Sequence, residues 1–335
     1  MAYAYDRELA PWVPVLPAVD LSDPDAAQGH VRGVQFQRPL YAVPDGLRIR
    51  DVNVPGPAAS PPVVVRLYEP DHRADARPLP AILYFHAGGF VTGDLETGHD
   101  ECVWTAATLG AVVVNVDYRL APQHPYPHAV MDAHAVLNWV VGQERALGID
   151  PERIAVVGED AGAGIAAALS MLTRDRASTR PFFQLLSTPM LDDRLDTESA
   201  RAYVDTPVLD RIQAAYSWFH YLGAGAGGPE VSPFAAPARA GDLRGLPTTY
   251  VAVCEFDPVR DEGVRYAQRL VQAGVTTELH HYPGTFHGCT SIPGTEVTLR
   301  MREDRVYALR RALFPSPPPD PRLLPYDLAT QGGPP

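Results

Sequence analysis

Short apolar runs alternate with longer segments of helical pattern along most of the chain. Strands predicted to be buried, separated by helices, are typical of a mainly parallel sheet covered on both faces, so the pattern predicts an α/β fold. The predicted strands are Val63–Tyr68, Ala81–Phe85, Ala111–Val116, Arg153–Val157, Phe182–Leu186, Thr248–Val253 and Thr277–Tyr282. The predicted helices between them are Glu101–Leu109, His128–Leu147, Ala161–Thr173, Arg260–Ala273 and Thr298–Leu313.

Three segments depart from this alternation. Residues 1–60 are rich in proline and aromatic residues without clear periodicity, which predicts an irregular arm that forms part of a cap. Residues 192–235 contain an aromatic-rich helix, Pro207–Tyr221, and are predicted to be a cap insertion. Residues 316–335 form a proline-rich tail. The α/β core is therefore assigned to residues 61–191 and 236–315.

Composition narrows the class of protein. The 335-residue chain has a net charge of −12 and no basic run, which argues against nucleic acid or an anionic membrane as a partner. All basic residues are arginine, so lysine Schiff-base chemistry is excluded. Three widely spaced cysteines suit a reducing compartment, and no signal peptide or run of about 20 apolar residues is present. We predict a cytoplasmic protein without metal or cofactor, and the sequence leaves open whether it forms a homodimer.

The most informative motif joins a predicted strand to a predicted helix. The run Ile154–Gly162 enters a turn with the pattern Gly-x-nucleophile-x-Gly, and an alanine-rich helix follows. Small residues on both sides of such a strained turn push one side chain into the active site. Here that side chain is the carboxylate of Asp160.

Three further motifs supply partners for Asp160. The run His86–Phe90 ends a strand in a glycine-rich turn, where the N–H groups of Gly88 and Gly89, with that of Ala161, are predicted to form an oxyanion hole. Asp257 lies just past one predicted strand, and His287 lies in a loop after the next. The chain order nucleophile, acid, base is that of the α/β-hydrolases.

The chain resembles the hormone-sensitive-lipase branch of the α/β-hydrolase superfamily, of bacterial carboxylesterase type, from about residue 40 to 315. This resemblance implies an α/β-hydrolase fold with a helical cap, and Asp160, Asp257 and His287 as a catalytic triad. It departs from the family at two positions: Asp160 stands where the family has its nucleophilic serine, and Ala87 replaces the first glycine of the oxyanion motif. The motifs that carry the resemblance are His86-Ala87-Gly88-Gly89-Phe90, Asp117–Pro122, Pro125-Tyr126-Pro127, Ser232-Pro233, Asp257–Gly263 and Pro283–Gly288.

An aspartate at this position favours a particular reaction. Carboxylate attack on an sp³ carbon gives an ordinary alkyl ester of the enzyme, and the epoxide hydrolases and haloalkane dehalogenases use an aspartate at the same turn in this way. We therefore predict an epoxide-hydrolase-like enzyme acting on a small-molecule substrate of moderate size and largely apolar character. Its pocket is predicted to include Phe90, Tyr216, Trp218, Phe219 and Phe286. Candidate acids for the leaving group are Tyr3, Tyr5, Tyr203, Tyr216 and Tyr221.

Two alternatives stay open at this stage. Asp160 could act as the general base of a non-hydrolytic lyase or cyclase. The chain could also be an esterase-derived protein, natural or engineered, that has lost activity or only binds a ligand.

Overall fold

The computed structural model describes residues 3–16, 19–37, 42–57, 60–71 and 77–314. The tail predicted at residues 316–335 lies outside this described part of the chain.

Within the described residues one sheet of eight strands runs through the molecule, in the order β1-β2-β4-β3-β5-β6-β7-β8. Strand β2 is antiparallel to both β1 and β4, and every other neighbouring pair is parallel. This confirms the predicted mainly parallel sheet. The strands are β1 Leu47–Val54, β2 Val63–Pro70, β3 Leu79–Phe85, β4 Val112–Asp117, β5 Ile149–Glu159, β6 Phe183–Ser187, β7 Thr248–Phe256 and β8 Thr277–Phe286.

Helices cover both faces of the sheet. Successive side chains of a strand point to opposite faces, so in β3 Leu83 joins the core formed with α3, α5 and α8, whereas Ile82 joins the core formed with α2 and α9. The helices are α1 Pro24–Gln37, α2 His99–Leu109, α3 His128–Gly142, α4 Glu144–Leu147, α5 Ala161–Asp175, α6 Glu198–Ala202, α7 Arg211–Leu222, α8 Arg260–Gln272 and α9 Glu296–Leu313. None of these helices is both long and apolar enough to cross a membrane.

The prediction that residues 1–60 are irregular is wrong for two segments. Helix α1 lies in this region, and β1 pairs with β2 along its whole length. Strand β1 escaped sequence reasoning because it is a half-exposed edge strand without a continuous apolar run. Two of its polar positions, Arg48 and Arg50, contact Glu69 on β2 at 3.2 and 2.7 Å.

Most predicted helices differ from the structure by one or two residues at an end, and two differ by more. The cap helix α7 begins at Arg211 and not at residue 207, because the Asp210 carboxylate caps it by accepting the N–H groups of Ile212 and Gln213. The single helix predicted over residues 128–147 is divided at Gln143 into α3 and α4.

The N-terminal arm is tied to the cap helix by hydrogen bonds. The Leu21 N–H donates to Gln213 Oε1 at 2.7 Å, and His220 Nε2 donates to the Leu21 carbonyl at 2.8 Å. On α1, the Gln28 amide exchanges two hydrogen bonds with the backbone of Gly93, in the loop that follows β3. The arm therefore lies beside α7 over the carboxyl ends of the strands, while the predicted domain boundaries stay predictions.

Candidate active site

Three side chains predicted to be catalytic lie together at the carboxyl ends of the parallel strands. Asp160 occupies the turn from β5 to α5, Asp257 follows β7, and His287 follows β8. His287 Nδ1 donates to Asp257 Oδ2 at 2.9 Å, and His287 Nε2 lies 3.3 Å from Asp160 Oδ1. Asp257 is itself fixed, because its Oδ1 accepts the Val259 N–H at 3.0 Å. The imidazole thus bridges two carboxylates.

The backbone at Asp160 has the strain expected of this turn. Its φ of +55° and ψ of −120° are rare for a residue with a side chain. The turn needs a glycine at position 162, because a Cβ there would lie 2.1 Å from the Phe85 carbonyl oxygen. The backbone therefore fixes where the residue-160 side chain points, whichever side chain it is.

The loop after β3 binds the Asp160 carboxylate. The N–H groups of Gly88 and Gly89 donate to Asp160 Oδ2 at 2.9 and 2.7 Å. These two groups converge as the sequence predicted, but on the protein's own carboxylate. The third predicted donor, Ala161, is the first residue of α5, and its N–H has no acceptor among the described residues. The other oxygen, Oδ1, is buried and makes no well-aligned hydrogen bond although His287 Nε2 is close.

The charges of Asp160 and His287 stabilise each other. Burial alone would raise the pKa of Asp160, but the close, charged imidazole of His287 and the N–H groups of Gly88 and Gly89 outweigh it and lower this pKa. Burial alone would lower the pKa of His287, but Asp257 and Asp160 raise it well above the ordinary value. The site therefore holds an imidazolium between two carboxylates at neutral pH.

A second buried histidine supports the glycine loop. His86 Nδ1 donates to the Ala87 carbonyl at 2.7 Å, and the imidazole stacks on Tyr118 with ring centroids 4.3 Å apart. Burial lowers the pKa of His86 to about 4 and outweighs the opposite effects of the Ala87 carbonyl, Asp94 and Asp160. His86 is accordingly neutral and holds the loop in place.

A cavity of about 200 Å³ opens beside Asp160 and His287. Sequence reasoning missed most of its wall, since single apolar residues far apart in the chain carry no motif. The arm contributes Val19, Leu21 and Val31, the segment before α7 contributes Val208 and Leu209, and the opposite side contributes Cys254, Cys289 and Met301.

The five aromatic residues predicted to line the pocket do not line this cavity. The ring of Phe90 stacks on that of Tyr221 with centroids 4.0 Å apart, and it also contacts Trp218. Phe90 and Trp218 therefore pack inside the interface with the cap helix. Phe286 is fully buried, and Tyr216 and Phe219 are 37% and 54% exposed on the outer side of α7. Core packing and surface position account for all five where they stand, and their role in a substrate pocket stays a prediction.

The tyrosines predicted as acids also lie elsewhere. Tyr3, Tyr5 and Tyr203 form an aromatic cluster with Phe256, in which Tyr3 donates to Asp205. Tyr221 is buried against Phe90, and Tyr216 faces outwards. No tyrosine of the described residues lines the cavity. In the same part of the chain, no three His, Cys, Asp or Glu side chains converge to hold a metal ion.

This sheet, with a strained turn after β5 and a histidine after the last strand, defines an α/β-hydrolase. The family model described as alpha/beta hydrolase fold matches residues 82–291, and the chain belongs to this family.

Named relatives place the chain among esterases. It is 41% identical to Esterase LipI of Mycobacterium tuberculosis over 270 residues, which cover 78% of this chain and 82% of the relative. It is 39% identical to Carboxylesterase NlhH of the same species over 258 residues, which cover 76% of this chain and 79% of the relative. These similarities confirm the predicted kinship with bacterial carboxylesterases of the hormone-sensitive-lipase-like branch.

Solved structures give the same grouping. A bacterial heroin esterase superimposes with a TM-score of 0.88 at 42% identity, covering 93% of this chain and 99% of that chain. Esterase LipW from Mycobacterium marinum has a TM-score of 0.79 at 38% identity, covering 93% of this chain and 97% of that chain. The fold prediction is confirmed, while the catalytic roles of Asp160, Asp257 and His287 stay predictions.

Proposed function

We propose that this protein is a hydrolase in which Asp160, in the position of the family's serine, attacks an electrophilic sp³ carbon such as that of an epoxide. One observation carries the proposal: the two oxygens of Asp160 have different environments. Oδ2 accepts the N–H groups of Gly88 and Gly89, whereas Oδ1 is buried beside the cavity without a well-aligned hydrogen bond. One oxygen is thus anchored by two N–H groups, and the other, 3.3 Å from His287 Nε2, is the one available for attack.

The same contacts argue against ordinary ester hydrolysis by Asp160. Attack of a carboxylate on an acyl carbon would give a reactive anhydride and would have to expel an alkoxide. The substrate carbonyl would also need the oxyanion-hole donors, and Oδ2 of Asp160 already occupies those of Gly88 and Gly89. An sp³ carbon needs no such donors in the first step.

In the first step, Asp160 Oδ1 forms a bond to an epoxide carbon and the C–O bond of the ring breaks. The oxygen of the broken bond becomes an alkoxide on the side of the substrate that faces away from Oδ1. We therefore assign the imidazolium of His287 as the acid, which protonates this alkoxide through a water molecule. The products are an alkyl ester of Asp160 and a neutral His287. This assignment replaces the tyrosine acids, which do not line the cavity.

In the second step, His287 takes a proton from water, and the hydroxide attacks Cγ of the ester. Esterification has removed the Asp160 charge that helped to keep His287 protonated, so the imidazole now acts as a base. The oxyanion develops on Oδ2, where Gly88 and Gly89 already donate, and each such donor is typically worth about 3 kcal/mol of barrier. Collapse releases the diol, whose oxygen takes its proton from the imidazolium of His287. The newly formed carboxylic acid of Asp160 then passes its proton to His287, and the charged pair is restored.

The cavity supports a small, largely apolar substrate. Most of its surface is apolar, although hydroxyl side chains such as Thr92, Thr188 and Thr290 also line it, and its volume of about 200 Å³ is below that of a typical drug-sized site. The esterase relatives support the hydrolytic chemistry, and Asp160 supplies the reason to expect a different bond to be cleaved.

Mass spectrometry of the Asp160 peptide after turnover of an epoxide panel in ¹⁸O-labelled water tests the proposal. We expect label in the Asp160 carboxylate, because water attacks the enzyme ester and not the substrate. Asp257 provides the internal control, since its carboxylate should stay unlabelled.

Other outcomes would contradict the assignment of Asp160 as the nucleophile. Diol that carries all the label, with none in Asp160, would make Asp160 a general base. A product without solvent oxygen would favour a lyase or cyclase, and tight binding without turnover across the panel would favour a ligand-binding protein.

A further inference from the structure

A buried arginine lies behind the turn that carries Asp160. Arg305 is in the middle of α9 and is only 3% exposed. Its Nη1 donates to Glu159 Oε1, and its Nη2 lies 3.7 Å from Glu101 Oε2 on α2. A buried guanidinium is unfavourable unless it is paired. Both acidic partners therefore matter for its presence there.

Glu159 connects this arginine to the active site. It is the last residue of β5, it directly precedes Asp160, and it is among the residues that line the same cavity. Two neighbouring carboxylates raise each other's pKa, because like charges disfavour ionisation. An unpaired Glu159 would therefore work against an ionised Asp160.

We propose that Arg305 is a positioning residue of this active site, which neutralises Glu159 and fixes the end of β5 so that Asp160 stays ionised in a fixed position. The contacts of Arg305 with Glu159 and Glu101 do not depend on the proposed function. The inference rests on the proposed function only where it takes Asp160 to be the nucleophile.

Other charged and titratable groups surround the pair, and one of them offers a matched control. Arg302 is also on α9, one turn before Arg305, and its Nε lies 3.3 Å from the same Glu101 Oε2. Its acidic partner is thus Glu101 and not Glu159. The groups facing Asp160 are His287, His86 and Tyr118, and those facing Arg305 or Glu159 are Glu101, Tyr84, Tyr250 and Cys102.

The experiment measures the ionisation of Asp160 without any substrate. The ring ¹⁵N signals of His287, identified by their loss in His287→Gln, are titrated from neutral to acid pH, since protonation of Asp160 changes the charge beside the ring. In Arg305→Met we expect the acid transition to move up by about one pH unit. In Arg302→Met it should move much less.

A double variant separates charge from structure. Arg305→Met combined with Glu159→Gln removes both charges, and the transition should return close to that of the parent protein. Glu159→Gln alone leaves Arg305 with Glu101 as its acidic partner and removes the negative charge next to Asp160, so it should move the transition to lower pH. An unchanged transition in Arg305→Met, or no return in the double variant, would overturn the proposal.

If Arg305→Met does not fold, Glu159→Gln and Arg305→Lys decide. The lysine variant keeps the charge and should titrate like the parent, and an unmoved transition in Glu159→Gln would contradict the inference. This titration needs no turnover, so the two hypotheses can fail separately. If ¹⁸O labelling fails but the titration gives the expected shifts, Asp160 is not the nucleophile and Arg305 is still a positioning residue.

Discussion

The core and the cap each contribute one wall of the cavity, and the residues of the two walls are held differently. On the core wall, Asp160 and His287 come from strand ends, carry charge, and are fixed by backbone geometry and by Asp257. On the cap wall, Val31 and Leu209 are apolar, and the helix α1 that carries Val31 is joined to the core by the two hydrogen bonds of the Gln28 side chain. Reactivity should therefore depend on the core wall and substrate choice on the cap wall.

The most severe break of the core wall is Asp160→Asn. The amide keeps the size of the side chain and can still accept from Gly88 and Gly89, but it cannot attack. We expect kcat for an epoxide to fall by about 10⁴-fold or more. Asp242→Asn, which changes an exposed carboxylate paired with Arg244, is the control and should be silent. Residual activity within about tenfold of the parent would rule out the nucleophile.

Asp160→Ser tests the core wall by changing its chemistry. The serine vacates the N–H groups of Gly88 and Gly89, and His287 can then activate the hydroxyl. We expect hydrolysis of 4-nitrophenyl acetate to rise by at least about 10²-fold over the parent protein. Asp160→Ala opens the same space without a hydroxyl, so equal rates for the alanine and serine variants would contradict this expectation.

Gly88→Ala removes the anchor of Asp160 Oδ2. At the Gly88 φ of +134°, a Cβ would lie 2.0 Å from the Thr92 carbonyl oxygen, so the loop must move. We expect kcat to fall by about 10²–10³-fold. Gly110→Ala is the matched control, because Gly110 also has positive φ but open space around it. It should cost about 1–2 kcal/mol of unfolding free energy and leave kcat unchanged.

The pH profile of kcat/KM reports the charge pair directly. Activity requires ionised Asp160, whose pKa is lowered, and protonated His287, whose pKa is raised. Activity should therefore fall at acid pH only below the ordinary aspartate range, and at alkaline pH only well above the ordinary histidine range. Asp257→Asn removes a charge that raises the His287 pKa and should move the alkaline limb to lower pH; an unmoved limb would show that His287 is not the group observed.

Leu21→Ala perturbs the cap wall and should have the smallest effect. We expect kcat/KM to fall about tenfold for substrates that fill the cavity, with kcat for the smallest substrates nearly unchanged. Ile212→Ala, on the exposed side of α7, should leave both values unchanged. A large fall in kcat for every substrate would mean that the two walls are not separable.

The difference between the core wall and the cap wall also explains which parts of the site could be predicted from the sequence. The buried strands follow from apolar runs, and the turn at Asp160 follows from glycines that no larger residue can replace. Asp257 and His287 can be predicted because each lies just past a predicted strand, in the chain order nucleophile, acid, base.

Tertiary packing decided what the sequence could not show. Leu21 and Val208 reach the cavity from segments far apart in the chain, and neither belongs to a motif. Phe90 and Trp218 show the opposite case, in which the sequence offers a signal that does not identify the cavity. A large aromatic ring near the site can be buried in the interface with the cap as well as in a substrate pocket. Strand β1 was missed because its register with β2 involves polar, half-exposed positions.

The cysteines in the cavity wall have a consequence for an enzyme that handles electrophiles. Cys254 and Cys289 border the same cavity as Asp160, so two almost completely buried thiols lie close to the place proposed for a reactive substrate. A hydrogen bond with Cys289, together with burial, holds the pKa of the Cys254 thiol well above its ordinary value, and only a thiolate is a strong nucleophile. Charge thus directs the substrate to the carboxylate, whose ester water can cleave, and protects the protein from a thioether that it could not remove.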